Sequence, residues 1–159
     1  MTPLATKHYS DIQEKKIARA LGWKQVSASG ARPLNPGDVI SNDFIGECKT
    51  HTKPGKDIEF KETVWNKIED EAWSQFKLPI LFVDDGSQDL NKTWCMVSIL
   101  PYKEHIVIDY PLKHTKNIKF TSKDLEDILD TYDKPVIFNV KDLRCYICKF
   151  TDFQLVYEV

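Results

Sequence analysis

Apolar residues recur at helical spacing in three stretches of the chain and gather in short runs elsewhere. Ile12, Ile17, Ala18 and Leu21 fall on one face of a helix that Ser10 or Asp11 can cap and Gly22 can stop. Residues 61–76 give the clearest helix: Val64, Ile68, Ala72 and Phe76, with Trp65 and Trp73, fit an amphipathic face. A shorter helix over 122–130 has Thr121 or Ser122 as cap and Leu125, Ile128 and Leu129 as its apolar side. Strands are predicted at 23–27, 38–41, 43–50, 79–83, 93–100, 105–109, 136–140, 144–150 and 153–157. The third pairs with the second across Asn42-Asp43, and 93–100 pairs with 105–109 around Pro101. Residues 28–37 and 51–57, rich in Gly, Pro and polar residues, read as loops. This order predicts an α/β class, a mixed β-sheet with helices packed on it.

Length bounds the rest. At 159 residues, 42% hydrophobic and 29% charged, the chain makes one domain with a real core. No apolar run spans a bilayer and no secretory h-region is visible, so the expectation is no membrane and a cytoplasmic site, the host cytoplasm for a phage-encoded chain. Net charge is −2, which argues against a histone-like binder. Residues 1–67 carry 11 Lys/Arg against 8 Asp/Glu, whereas 68–159 carry 11 against 16. A nucleic-acid surface therefore belongs in the first half. Cys48, Cys95, Cys145 and Cys148 read as reduced thiols. Cys145 and Cys148 have CxxC spacing but no second pair to complete a zinc site, and on a strand they face opposite sides.

The candidate chemistry lies in Gly37-Asp38, then eight residues, then Glu47-Cys48-Lys49. Residues two apart on a strand share a face, so Glu47 and Lys49 point one way and Cys48 the other. A hairpin brings Asp38 beside Glu47. Neighbouring carboxylates repel unless a proton or cation joins them, and Mg²⁺ takes one or two carboxylates plus waters and phosphate oxygens. Mn²⁺ accepts the same ligands. The Cys48 carbonyl offers a further oxygen. Lys49 beside the metal can activate water or stabilise charge on a phosphate. The set suits metal-assisted phosphodiester hydrolysis.

This pattern resembles the PD-(D/E)XK nuclease motif, with Gly37 where the family often has Pro. Glu14 on the first helix, then Leu21-Gly22-Trp23 and Ser27-Ala28-Ser29-Gly30, is similar to archaeal-type Holliday-junction resolvases and phage nucleases of that superfamily. The resemblance covers about residues 10–84. It implies a restriction-endonuclease-like nuclease core (about 8–90) within a single domain 1–159, leaving a β-rich extension at about 91–159. It implies Glu14, Asp38, Glu47 and Lys49 as catalytic residues. Glu14, Asp38, Glu47 and the Cys48 carbonyl become metal ligands, and Ser29 (or Ser27) a DNA or active-site contact. The implied protein is a Mg²⁺-dependent endonuclease on branched DNA, acting as a homodimer.

Arg32, His51, Lys53 and Lys56 flank the motif and are candidate DNA-phosphate contacts; the bland reading is a solvated loop. Lys113, His114, Lys116, Lys119 and Lys123 form a further basic cluster that could extend a DNA track. Lys15, Lys16 and Arg19 read as an exposed face. The competing functions are a restriction- or repair-type nuclease on other DNA structures, a non-catalytic DNA-binding or interaction module with a nuclease fold, and a structural protein with a chance motif.

Overall fold

The computed structural model describes residues 3–26 and 37–157. The first helix, α1 (Pro3–Leu21), runs through Ser10 and Asp11 instead of starting there. Nothing between Leu4 and Leu21 breaks it, and Pro is tolerated in a first turn because its missing N–H has no intrahelical partner. Gly22, at φ +68°, ends it: the Trp23 N–H folds back onto the Ala18 carbonyl at 2.9 Å.

Three antiparallel strands follow, β1 (Lys24–Gln25), β2 (Val39–Ile40) and β3 (Phe44–Lys49). The next short strand, β4 (Ile58–Phe60), leads into α2 (Glu62–Ser74). This helix carries the chain across to β5 (Leu78–Val83), which runs parallel to β3 with Glu47 opposite Leu81 and Lys49 opposite Val83. Parallel neighbours need such a crossover. Gly46 lets the sheet close up here, since a Cβ would sit 2.8 Å from the Phe82 and Val39 side chains.

The second half continues the same sheet. Strand β6 (Trp94–Val97) pairs antiparallel with β5. Then come β7 (Ile106–Asp109), β8 (Ile118–Phe120), α3 (Ser122–Thr131), β9 (Val136–Val140), β10 (Cys145–Lys149) and α4 (Phe150–Val156). The eight-stranded order is β1-β2-β3-β5-β6-β10-β9-β7, with β4 and β8 forming a separate pair. The protein is thus mixed α/β, a large mixed sheet flanked by helices. Among the described residues no helix is long and apolar enough to cross a membrane.

Two apolar cores sandwich the sheet. Ile17, Ala18 and Leu21 of α1 and Phe150, Phe153 and Val156 of α4 cover one face through Val39, Phe44, Cys48, Phe82 and Cys148. Trp65, Ile68 and Ala72 of α2, Leu125 of α3 and the β4–β8 pair cover the other through Ile45, Leu81, Trp94, Phe138 and Cys145. Cys145 and Cys148 therefore do face opposite sides.

Four expectations are corrected. Residues 153–157 lie in or just after α4, not in a strand, because Phe150, Phe153 and Val156 follow helical spacing onto α1's core. Strands β6 and β7 do not pair with each other: β10 and β9 lie between them. Phe76 is not on the apolar face of α2; it lies past the helix end at φ +57° and is fully solvent-exposed. Trp73 is half-exposed while Trp65 is buried. Strands β4 and β8 were invisible in the pattern because each has three residues, and each finds its strand partner in the other, about 60 positions away.

Candidate active site

The short β2 and the longer β3 build the site. Their ladder ends near Gly46, where the Asp38 N–H donates to the Gly46 carbonyl at 2.7 Å. Beyond that point β3 has an open edge. The Asp38 carboxylate occupies it, its Oδ2 accepting the Cys48 N–H at 2.9 Å. In an extended strand a residue's N–H and C=O leave on the same side, so the Cys48 carbonyl also faces Asp38's side of β3.

Alternation along β3 settles the side chains. Cys48 is buried toward α1, while Glu47 and Lys49 point to the α2 face. Lys49 Nζ lies 3.5 Å from Glu47 Oε1, the lysine half-exposed and the glutamate largely buried. The Asp38 and Glu47 carboxyls lie close enough that the Asp38 charge acts directly on Glu47.

Electrostatics express the crowding. Burial, then the Asp38 charge, raises Glu47 to about 7, against the opposing pull of Lys49 and Lys67. Burial also raises Asp38, countered by the Cys48 N–H and Lys49. On α1, Glu14 is buried and bonded to Gln25 of β1. Burial and then Asp38 raise it to about 8, with smaller contributions from Asp11 and Glu47. Without a cation these carboxyls favour protons.

The donor set is all oxygen: Asp38, Glu47 and the Cys48 carbonyl, with Glu14 in the same field. Among the described residues no three His, Cys, Asp or Glu side chains form a ready-made metal cage. Mg²⁺ does not require one, since it keeps several waters beside one or two carboxylates. The residues present therefore fit Mg²⁺ or Mn²⁺ at Asp38 and Glu47. Glu14, tied to Gln25, stands within electrostatic reach and is not gathered into a three-carboxylate cage.

Ser27, Ser29 and Arg32 lie outside the described residues. His51, Lys53 and Lys56 are exposed, on a segment that the fold pins down. Asp84, fully buried at the end of β5, accepts the Thr50 hydroxyl at 2.5 Å and the Gly86 N–H at 2.7 Å. Gln88, also buried, donates to the Thr50 hydroxyl (2.8 Å), the His51 carbonyl (2.9 Å) and the Gly86 carbonyl (2.7 Å). The Lys56 N–H reaches the Asp85 carbonyl at 2.9 Å. A Cβ on Gly86 would lie 2.0 Å from the Lys53 carbonyl oxygen. The Gln13 amide and the Asp84 N–H both donate to the Lys49 carbonyl, at 2.7 and 3.4 Å. Asp84, Gln88 and Gln13 thus hold Lys49 and the segment after it. Sequence reasoning passed over them. The one available signal was an Asp directly after a buried apolar run, and its meaning depends on β5 lying beside β3.

Two cavities adjoin these elements. One, of about 190 Å³, is lined by Lys49, Thr50, His51, Glu59, Lys61, Val64, Leu81 and Val83. A larger one, of about 680 Å³, takes in Lys113 and His114 beyond the ends of β7 and β9. Its cations are balanced by Asp109, which pairs with Lys141 at 3.1 Å, and by Asp142. Of the remaining basic cluster, Lys119 pairs with Asp57 at 3.8 Å.

Comparison of the chain with protein-family models, with curated proteins and with solved structures finds no match in any of the three.

Proposed function

We propose that this protein is a metal-dependent endodeoxyribonuclease of the PD-(D/E)XK type, cutting branched DNA such as four-way junctions. The observation that carries the reading is the Asp38 carboxylate on the Cys48 N–H, within electrostatic reach of Glu47, with Lys49 against Glu47. The succession of α1, three antiparallel strands, α2 and a strand parallel to β3 is consistent with the nuclease core that the motif implies. Mg²⁺ or Mn²⁺ at Asp38 and Glu47 would supply Lewis-acid polarisation of the phosphate and of a water.

The chain's own residues do the rest. Asp38 and Glu47 supply the anionic oxygens that would hold the cation. Lys49, anchored through its carbonyl by Gln13 and Asp84, presents its ammonium to the negative charge on the phosphoryl oxygens. Water attacks phosphorus, the P–O3′ bond breaks, and the 3′ oxygen takes up a proton. The products carry 5′-phosphate and 3′-hydroxyl ends. Paired cuts in a symmetric junction call for a two-fold homodimer.

The competing reading is a DNA-binding module without turnover. The test is cleavage of labelled four-way junction, flap and linear duplex with Mg²⁺ or EDTA, for wild type and Asp38→Asn. Metal-dependent paired nicks in the junction, absent in the variant, are expected. Cleavage of duplex alone removes the junction assignment. DNA binding without cleavage supports the module.

A further inference from the structure

The connection from α2 to β5 carries an aromatic residue that the isolated chain does not use. Phe76 is fully solvent-exposed, and its backbone sits at φ +57°, a region that strains a residue with a side chain. Its N–H donates to the carbonyl of Trp73 at 3.1 Å, and Trp73 is itself half-exposed. A ring that gains no burial and strains its backbone fits a knob that another surface covers. A hole of matching chemistry exists. A cavity of about 230 Å³ is walled by Leu21, Trp23, Phe44, Phe153 and Tyr157, with residues 41–43 of the β2–β3 turn as its rim. Its rings form two stacked pairs, Trp23 on Phe44 at 5.4 Å and Phe153 on Tyr157 at 4.9 Å, and Phe44 meets Phe153 edge-on at 5.7 Å. An apolar cavity of ~150 Å³ already takes up benzene, so this one has room for a phenyl ring.

The backbone sets the knob beside the hole. The Lys77 ammonium donates to the Ser41 carbonyl, and the Leu78 N–H donates to the Asp43 carbonyl at 2.7 Å. Phe76 therefore stands next to the rim of its own cavity, and its full exposure means that it does not fill it. Such a surface is self-complementary. A two-fold axis between knob and hole sends each knob into the other copy's hole, and the contact closes at two chains.

We infer that a second copy of this chain docks on this surface, each copy's Phe76 entering the aromatic cavity of the other. Two buried rings and a narrow rim make a small interface, below the ~1,000 Å² of a stable complex, so the dimer is transient, with Kd on the order of 10⁻⁴ M. At micromolar concentration the copies separate and the strained loop stands free. The inference is independent of whether the protein cuts DNA, and it supplies the two-fold pairing that paired cuts in a junction call for.

The experiment is analytical ultracentrifugation of the full chain, without DNA, from about 5 µM to about 1 mM. Wild type should pass from monomer to dimer across that range. Phe76→Asn, whose new residue tolerates a left-handed backbone, should raise Kd at least ~10-fold. Asn42→Trp, on the exposed rim, should cover the hole and do the same. One variant keeps the hole and the other keeps the knob, so a mixture of the two should associate more tightly than either alone. Tyr132→Ser, an exposed ring just past α3, should leave Kd unchanged. p-Azidophenylalanine at position 76 keeps the ring and with it the fold. Irradiated near 1 mM, it should join two chains through peptides that carry residue 23, 44, 153 or 157. A wild type that stays monomeric to about 1 mM overturns the inference and leaves knob and hole to a different partner. It is equally overturned by a dimer that Phe76→Asn leaves intact, by Tyr132→Ser matching Phe76→Asn, or by crosslinks that fall outside the cavity.

Discussion

Replacing Asp38 by Asn should stabilise the metal-free protein while abolishing its response to Mg²⁺. The stabilisation comes from crowding. Glu47 is raised from 4.5 to about 7, a difference of about 2.5, or ~3 kcal/mol at ~1.4 kcal/mol per unit. Burial is the larger cause and the Asp38 charge the next. Assigning roughly a third to Asp38 leaves ~1 kcal/mol of repulsion when both groups are ionised. Asn keeps an acceptor for the Cys48 N–H but gives up the charge assistance, offsetting about half of the gain. The net, ~0.5 kcal/mol, corresponds to a Tm rise of about 1–2 °C for a chain of this size. In Mg²⁺ the order reverses, because ligand at 100 times Kd stabilises wild type by ~2.7 kcal/mol. The sign with pH follows from a folded pKa above the unfolded one. The native state then holds the extra proton, so wild type keeps this stability in full below about 4.5 and loses it as pH rises through about 7, which is where the variant gains on it. Melting curves from pH 5 to 8.5, in EDTA and in Mg²⁺, read all of this. A variant that melts at or below wild type in EDTA at pH 8.5, with the same Mg²⁺ shift, refutes the reasoning.

Glu14→Gln should raise the metal-free Tm above pH 8 and leave it nearly unchanged at pH 5, since the native carboxyl titrates at about 8 against 4.5 for its ordinary value; a parallel shift at both pH values contradicts this. Gly86→Ala places a Cβ 2.0 Å from the Lys53 carbonyl at a φ of +96°, and should cost at least ~2 kcal/mol in urea unfolding while speeding amide exchange at Lys56. Gln88→Ala removes three hydrogen bonds to the Thr50–Gly86 network and should cost ~2 kcal/mol, with kcat falling more than KM rises as Lys49 loosens. Phe76→Gly should stabilise by ~1 kcal/mol, because a fully exposed phenylalanine at φ +57° gives up little burial and is released from left-handed strain; urea midpoints check it.

The sequence by itself determined the periodic elements and the local chemistry. Val64, Trp65, Ile68 and Ala72 define α2, Gly22 ends α1, and Val136–Val140 is a strand in pattern and in structure. The alternation of Glu47, Cys48 and Lys49 fixed which of them enters the core, because a strand's period of two leaves no choice. Only the tertiary structure decided the rest. The partners of β6 and β7 depend on β9 and β10, which arrive about 40 residues later in the chain. The C-terminal segment Phe150–Val156 has an apolar spacing compatible with strand or helix until α1 offers it a face. The anchoring of Lys49 was equally hidden. Gln13, Asp84 and Gln88 lie 36, 35 and 39 positions from it, and each is an ordinary polar residue in sequence. They become a scaffold because the β3–α2–β5 crossover sets the ends of two parallel strands side by side and α1 packs over them, so that the Gln13 amide and the Asp84 N–H meet at the Lys49 carbonyl and Gln88 and Asp84 meet at the Thr50 hydroxyl.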